Sequence, residues 1–465
     1  MSKLNRDVLY LIFEEFENDK NTLYSCLLVD KTWCEIIVPI LWRDPWLFLE
    51  KRKEKLFFNV IISHLFDESG YYLNRRPLFD YISFCRHLNF KKIVKFIEDY
   101  PEMLIIENEI INFFINGNNE NVKFTHLYIP YKFDYQLNLI PGAKCCFSDL
   151  EFLSCNTNIN DNVLVGLIEL CKSIKKLEFF IEKDNNYGTV KLIETPNKLV
   201  DIRFSSKYLY ADESFCKIIE NSLIKHANNI QYFTIVKQPI TKILSSFINL
   251  KSLELDDNFH HMTLNCLDNL TLPSLQILKA RRVRIKVLTS LIKNTSGSLI
   301  EIKIDYVYHD YIDNKRIIQA IYQNCPKLKY LLLLFRNNNI VELENLLINC
   351  QHMKGLHLLI SNTDDLEFDW NYLFEILTKS SPSSLYRFKF DFDEPPKLEQ
   401  LKLFFDNWKG RHPMLLQTIQ YNKNWDEPFD LIEKCKSEGI IKKYDHVLSE
   451  YIYEDLEWIQ KNIHF

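Results

Sequence analysis

The chain has 465 residues, 47% of them hydrophobic, and a formal net charge of -5. That length and apolar content suffice for a sizeable core and exclude general disorder, while the mild acidity gives no global reason to expect nucleic acid or an anionic membrane as partner. Nine glycines, none arranged as G-x-x-x-x-G-K-S/T or G-x-G-x-x-G, exclude the commonest nucleotide-binding loops.

In residues 1–46, Leu4, Val8, Leu9, Ile12, Phe13 and Phe16 recur at helical spacing and predict an amphipathic helix from about Asn5. Leu23, Cys26 and Val29 mark a second short helix. Trp33, Ile36, Ile37, Ile40, Leu41 and Trp42 mark a third, interrupted by Pro39. Three helices in so short a stretch cannot enclose all this apolar surface, so part of it is expected to be covered by the rest of the chain or by a partner. Lys3, Arg6 and Asp7 precede any apolar run, and no signal peptide is read there. The longest unbroken apolar run, about Tyr330 to Phe335, is far short of the roughly 20 residues a membrane-spanning helix needs. The expected location is cytoplasm or nucleus, where the twelve cysteines would be free thiols.

Two half-motifs appear here in order. Leu4, Asn5, Arg6, Asp7, Val8, Leu9, Tyr10, Leu11, Ile12 and Phe13 resemble the opening of an F-box, L-P-x-E/D-I/V-L-x-x-I-F. Leu23, Cys26, Val29, Lys31 and Trp33 resemble its second half. Asn5 stands where that family usually has proline, and an asparagine can start the helix instead by accepting the N–H of Asp7 or Val8. The resemblance implies docking onto a Skp-type adaptor and, through it, onto the cullin and RING subunits of a ubiquitin ligase. The residues it points to, at or supporting that contact, are Leu4, Asn5, Val8, Leu9, Ile12, Phe13, Leu23, Val29 and Trp33.

Residues 47–121 read as a helical connector. Lys51, Arg52, Lys53 and Lys55 lie between apolar residues and are expected to form the solvated face of a helix. Phe79, Ile82, Cys85, Phe90, Ile93, Val94 and Ile97 continue the helical period, and the run NGNNEN at 116–121 closes the segment as a loop.

From there the pattern becomes L-x-x-L-x-L, first as Phe124, Leu127 and Ile129. Its central residues continue as Leu153, Leu177, Ile202, Phe233, Leu253, Leu278, Ile302, Leu331, Leu356 and Phe388, with a last triple at Met414, Gln417 and Ile419. Eleven steps average about 26 residues, inside the leucine-rich-repeat range. Cys171, Cys325 and Cys350 each precede a central residue by the same interval and each end a helical pattern. This resembles the cysteine-containing subclass of leucine-rich repeats. The expected α/β fold is therefore a three-helix F-box (1–46), the connector (47–121), a curved solenoid with parallel strands on one face and helices on the other (122–420), and a C-terminal cap (421–465) containing Trp425 and Trp458.

No catalytic constellation or metal-ligand spacing is found: Cys145 and Cys146 are adjacent, as are His260 and His261, and neither pair has a companion. No cofactor is implied. The side chains between the buried strand positions form a candidate target-binding face, with Lys279 and Arg281, then Lys303 and Asp305, then Tyr330 and Leu332, then His357. The expected function is that of a non-catalytic substrate receptor, binding an adaptor through the F-box and a target protein through the repeats. The alternative is a repeat scaffold with no part in ubiquitin transfer.

Overall fold

The computed structural model describes residues 4–17, 19–47, 49–65, 77–116, 122–206, 212–236, 239–256, 267, 269–305, 310–360, 368–420 and 428–448. The chain forms two compact units, Met1–His226 and Ala227–Phe465.

The first unit opens with α1 (Arg6–Glu14), α2 (Lys20–Cys26) and α3 (Lys31–Arg43). Each start carries a side-chain cap. Asn5 accepts the Asp7 N–H at 3.4 Å, Asp19 that of Thr22 at 3.2 Å, and Asp30 that of Trp33 at 2.9 Å. Asn5 thus caps the first helix with its side chain, as the sequence suggests. Pro39 does not interrupt the third helix, which runs through it. The next helices are α4 (Glu54–Ser63) and α5 (Tyr81–Phe84). Then come β1 (His87–Asn89), α6 (Phe90–Asp99), α7 (Glu107–Asn116), β2 (His126–Tyr128), α8 (Ala143–Cys146) and β3 (Phe152–Asn156). The unit ends with α9 (Asp161–Leu170), β4 (Lys176–Ile181), α10 (Val190–Glu194), β5 (Asp201–Ser206) and α11 (Glu213–Ser222). Strands β1 to β5 pair in parallel in chain order, aligning Leu88, Leu127, Leu153, Leu177 and Ile202.

Strand β1 lies inside the stretch read as a helical connector. Cys85, Leu88 and Phe90 are all buried and have the spacing of the later triples. Their neighbours Ile82 and Ile93 extend the same residues into a helical period, which hides the strand in the sequence.

The second unit contains β6 (Tyr232–Ile235), β7 (Ser252–Asp256), β8 (Ile277–Arg281), α12 (Ile285–Lys293), β9 (Glu301–Asp305) and α13 (Tyr311–Asn324). It continues with β10 (Tyr330–Phe335), α14 (Ile340–Asn349), β11 (Gly355–Ile360), α15 (Trp370–Ser380), β12 (Arg387–Phe392) and α16 (Leu398–Trp408). Last are β13 (Met414–Gln420), α17 (Phe429–Ser437) and β14 (Ile441–Leu448). All pair in parallel in chain order, with Phe233, Leu253, Leu278, Ile302, Leu331, Leu356 and Phe388 aligned.

The alignment then shifts. Phe388 lies opposite Leu416, so the expected central Gln417 is one residue out of register. The run MLLQTIQ offers two apolar frames, and a bulge at Met414/Leu415 marks the change toward β14. That strand adds another rung within the segment read as a cap, while Trp425 and Trp458 lie outside the described residues, as do His260 and His261.

Cys171, Cys325 and Cys350 sit at the C-terminal ends of α9, α13 and α14, fully buried. The Cys350 thiol donates to the Cys325 carbonyl at 3.6 Å, linking one repeat to the next. Small buried thiols fit where a helix must turn tightly into the next strand. The described cysteines are all free. Among the described residues no helix is long and apolar enough to cross a membrane.

Candidate protein-docking surfaces

The apolar stripe of the N-terminal helices divides between an inside and an outside. Leu9, Phe13, Leu23, Ile36, Ile37 and Ile40 form a buried cluster, and Trp33 packs edge-on against Phe13 at 4.9 Å. Leu9, Phe13 and Leu23 therefore support the surface from below, with Trp33 half-buried beside them. Leu4, Val8, Ile12 and Val29 remain exposed, as do Leu11 and Leu28, the last at 90%. Leu11 on α1 and Leu28 in the turn after α2 are exposed as well, although the motif does not single them out; their signal is an apolar side chain beside a core that is already full.

Arg43 holds the first and third helices together. Its guanidinium donates to Glu14 at 3.0 Å, Glu17 at 3.1 Å and the Tyr10 hydroxyl at 3.1 Å. These hydrogen bonds from Arg43 and Tyr10 hold the Glu14 carboxyl below its ordinary range.

The three helices join the first strand directly. Arg86 N–H donates to the Arg43 carbonyl at 2.9 Å, the Trp46 indole donates to the His87 carbonyl at 2.7 Å, and Asp44 Oδ2 lies 2.8 Å from His87 Nδ1. Trp46 is buried against Phe57, Phe58 and Phe114.

On the strand face of this unit, register places His87, His126, Phe152, Lys176 and Asp201 in one row. His87 stacks on His126 at 3.8 Å, and Phe152 follows at 5.2 Å. In the next row Lys91 reaches over to donate to Ser154 at 2.8 Å, and Ser154 donates to Glu178 at 2.6 Å. Burial pushes the His126 imidazole down to about 4, aided by the neighbouring His87. Burial likewise pushes the Tyr128 phenol up to about 12. Sequence reasoning did not single out this half-exposed aromatic row, though each member alternates with a buried strand residue.

The target-binding face expected in the second unit is largely buried. Lys303 is 9% exposed with Glu301 at 3.1 Å; Tyr330 and Leu332 are buried and pack with Leu359. His357 is 5% exposed and its Nε2 lies 4.0 Å from Asp391. Neither of its ring nitrogens has a hydrogen-bond partner among the described residues. Burial, then the charges of Lys389 and Lys303, holds its imidazole well below the ordinary value. Arg281 lies between Asp256 at 3.9 Å and Asp305 at 3.8 Å, and Arg282 donates to Asp256 at 2.8 Å. Carboxylates of adjacent strands thus pair with Arg281 and Arg282, while Lys279 is half-buried.

Among the described residues no group of histidine, cysteine and carboxylate side chains could hold a metal ion. The parallel ladder with one aligned apolar residue per strand and a returning helix defines a leucine-rich-repeat solenoid. Among solved structures, the chain is similar to the crystal structure of the leucine-rich repeat-containing protein LegL7 from Legionella pneumophila, with 17% identity over 63% of this chain and 90% of that chain and a TM-score of 0.36. No protein-family model matches the chain, and no curated protein sequence matches it.

Proposed function

We propose that the chain is a non-catalytic substrate receptor, whose N-terminal helices dock onto a Skp-type adaptor of a cullin-RING ubiquitin ligase while the repeats hold a target protein. The observation that carries this reading is the division of the N-terminal motif: its buried half builds a capped three-helix unit, and its exposed half, Leu4, Val8, Ile12 and Val29, leaves an apolar surface uncovered. The joint at Arg43, Asp44 and Trp46 would then hold an adaptor-bound complex at a fixed orientation to the first strands. Such a receptor acts by proximity, raising the effective concentration of target lysines at the ubiquitin-charged enzyme.

The test is co-purification of the full chain with a Skp-type adaptor, beside a Val8→Asp/Val29→Asp variant. Removing residues 1–46 is a poorer control, since it also strips Trp46 from the aromatic cluster it fills. One-to-one recovery lost in the variant supports receptor architecture. A folded chain that recovers no adaptor leaves a repeat protein with a different partner. With adaptor binding established, a partner whose lifetime does not rise when this chain is depleted would favour a scaffold without ubiquitin transfer.

A further inference from the structure

Five consecutive helices of the second unit begin with an exposed apolar side chain. Tyr311 opens α13, Val341 is the second residue of α14, Tyr372 the third of α15, Leu398 opens α16 and Phe429 opens α17. Their exposures run from 37% to 63%. Every strand here is parallel, and each helix returns the chain to the start of the next strand. The helices therefore run in one direction, and their first turns line a single edge of the unit. Helices α13 to α16 pack on one another in sequence.

Carboxylates outnumber cations at the starts of these helices. Asp310 and Asp369 cap α13 and α15, Glu399 lies in the first turn of α16 and Asp430 in that of α17, all four exposed, against one exposed cation, Lys397, at the start of α16. The nearest cations of α13 are already engaged, Lys315 with Glu342 at 3.3 Å and Arg316 with Asp313 at 3.0 Å. Each carboxylate also complements its helix dipole, but none needs an apolar neighbour to do so. At about 10 Å between helix axes, the apolar row from α13 to α16 covers about 30 Å, the length of a helix of about 20 residues.

We propose that this edge docks a basic amphipathic helix of a partner protein. Its apolar face would lie on Val341, Tyr372 and Leu398, and its lysine or arginine heads against Asp310, Asp369 and Glu399. This surface belongs to the second unit, and the proposal does not depend on adaptor binding.

The probe is a synthetic amphipathic helix of leucine and lysine, about 20 residues long, with a counterpart carrying glutamate in place of lysine. Fluorescence anisotropy against the full chain reads binding. The lysine peptide is expected to bind, the glutamate peptide not to, and added salt to weaken the complex. Val341→Glu and Leu398→Glu are each expected to weaken it about tenfold or more with unchanged circular dichroism, because glutamate is favoured in a first helical turn. Should either variant fail to fold, Val341→Ser and Leu398→Ser are read in the same way. Folded variants that bind as the parent does, or a glutamate peptide that binds equally well, overturn the proposal. So does a dimer of this chain that the variants dissolve, which would make the occupant a second copy.

Discussion

At the scale of single residues, Val8 and Leu9 are neighbours with opposite duties. Leu9 fills the three-helix core, so Leu9→Ala is expected to cost about 2–5 kcal/mol of that packing, read as a lower denaturation midpoint. Val8 faces outward, so Val8→Asp is expected to change stability by about 0.5 kcal/mol or less while abolishing adaptor recovery. Buried thiols give a second test. Burial pushes Cys325 and Cys350 up to about 12, against an ordinary 9.0 in the unfolded chain. The unfolded thiols lose their protons first, so the stability these groups contribute is intact below pH 9 and is lost as pH rises toward 12. In native protein at neutral pH, an alkylating reagent is expected to modify exposed Cys145 promptly and the buried pair only after denaturant is added.

At the scale of elements, the packing of β2 on β1 through the His126–His87 stack is expected to respond to acid. His126 titrates near 4 when folded and at 6.5 when free, so the unfolded chain takes up the proton first as pH falls. Its contribution is present above 6.5 and disappears as pH drops toward 4. Denaturant titrations at pH 7 and 5 are expected to show a smaller loss of stability in His126→Phe than in the parent, the phenyl ring keeping a stack on His87. An equal loss would place the acid response elsewhere, with buried His357 the next group to replace. The strands were legible in the sequence because each turns an apolar face into the core, and that face leaves the L-x-x-L-x-L pattern whatever covers the other. Three elements escaped that logic: Cys85, Leu88 and Phe90 share residues with a helical period, β13 carries apolar residues in both frames, and β14 lies in the segment read as a cap. The division of α1 into Leu9 and Phe13 inside, Val8 and Ile12 outside was not legible either. A broad apolar stripe shows that a helix is amphipathic, and only its neighbours decide which part of the stripe they cover. Nor could local pattern show that Lys303 and His357 are buried, since cover over a strand face comes from residues distant in sequence.

At the scale of the whole molecule, the ladder predicts how damage spreads. A charge at one central position, such as Leu331→Asp, is expected to lower hydrogen-exchange protection most in β9, β10 and β11, with the effect fading along the second unit. Uniform loss across all its strands would mean that the repeats unfold only together. The thiol link from Cys350 to Cys325 joins groups 25 residues apart, and Leu331 pairs directly with Leu356 at that same interval. A gene that duplicated this stretch in frame would therefore present each neighbour with the surface it already meets, a leucine opposite a leucine and a thiol beneath a carbonyl. Length is thus the property of this protein most open to inheritance by copying.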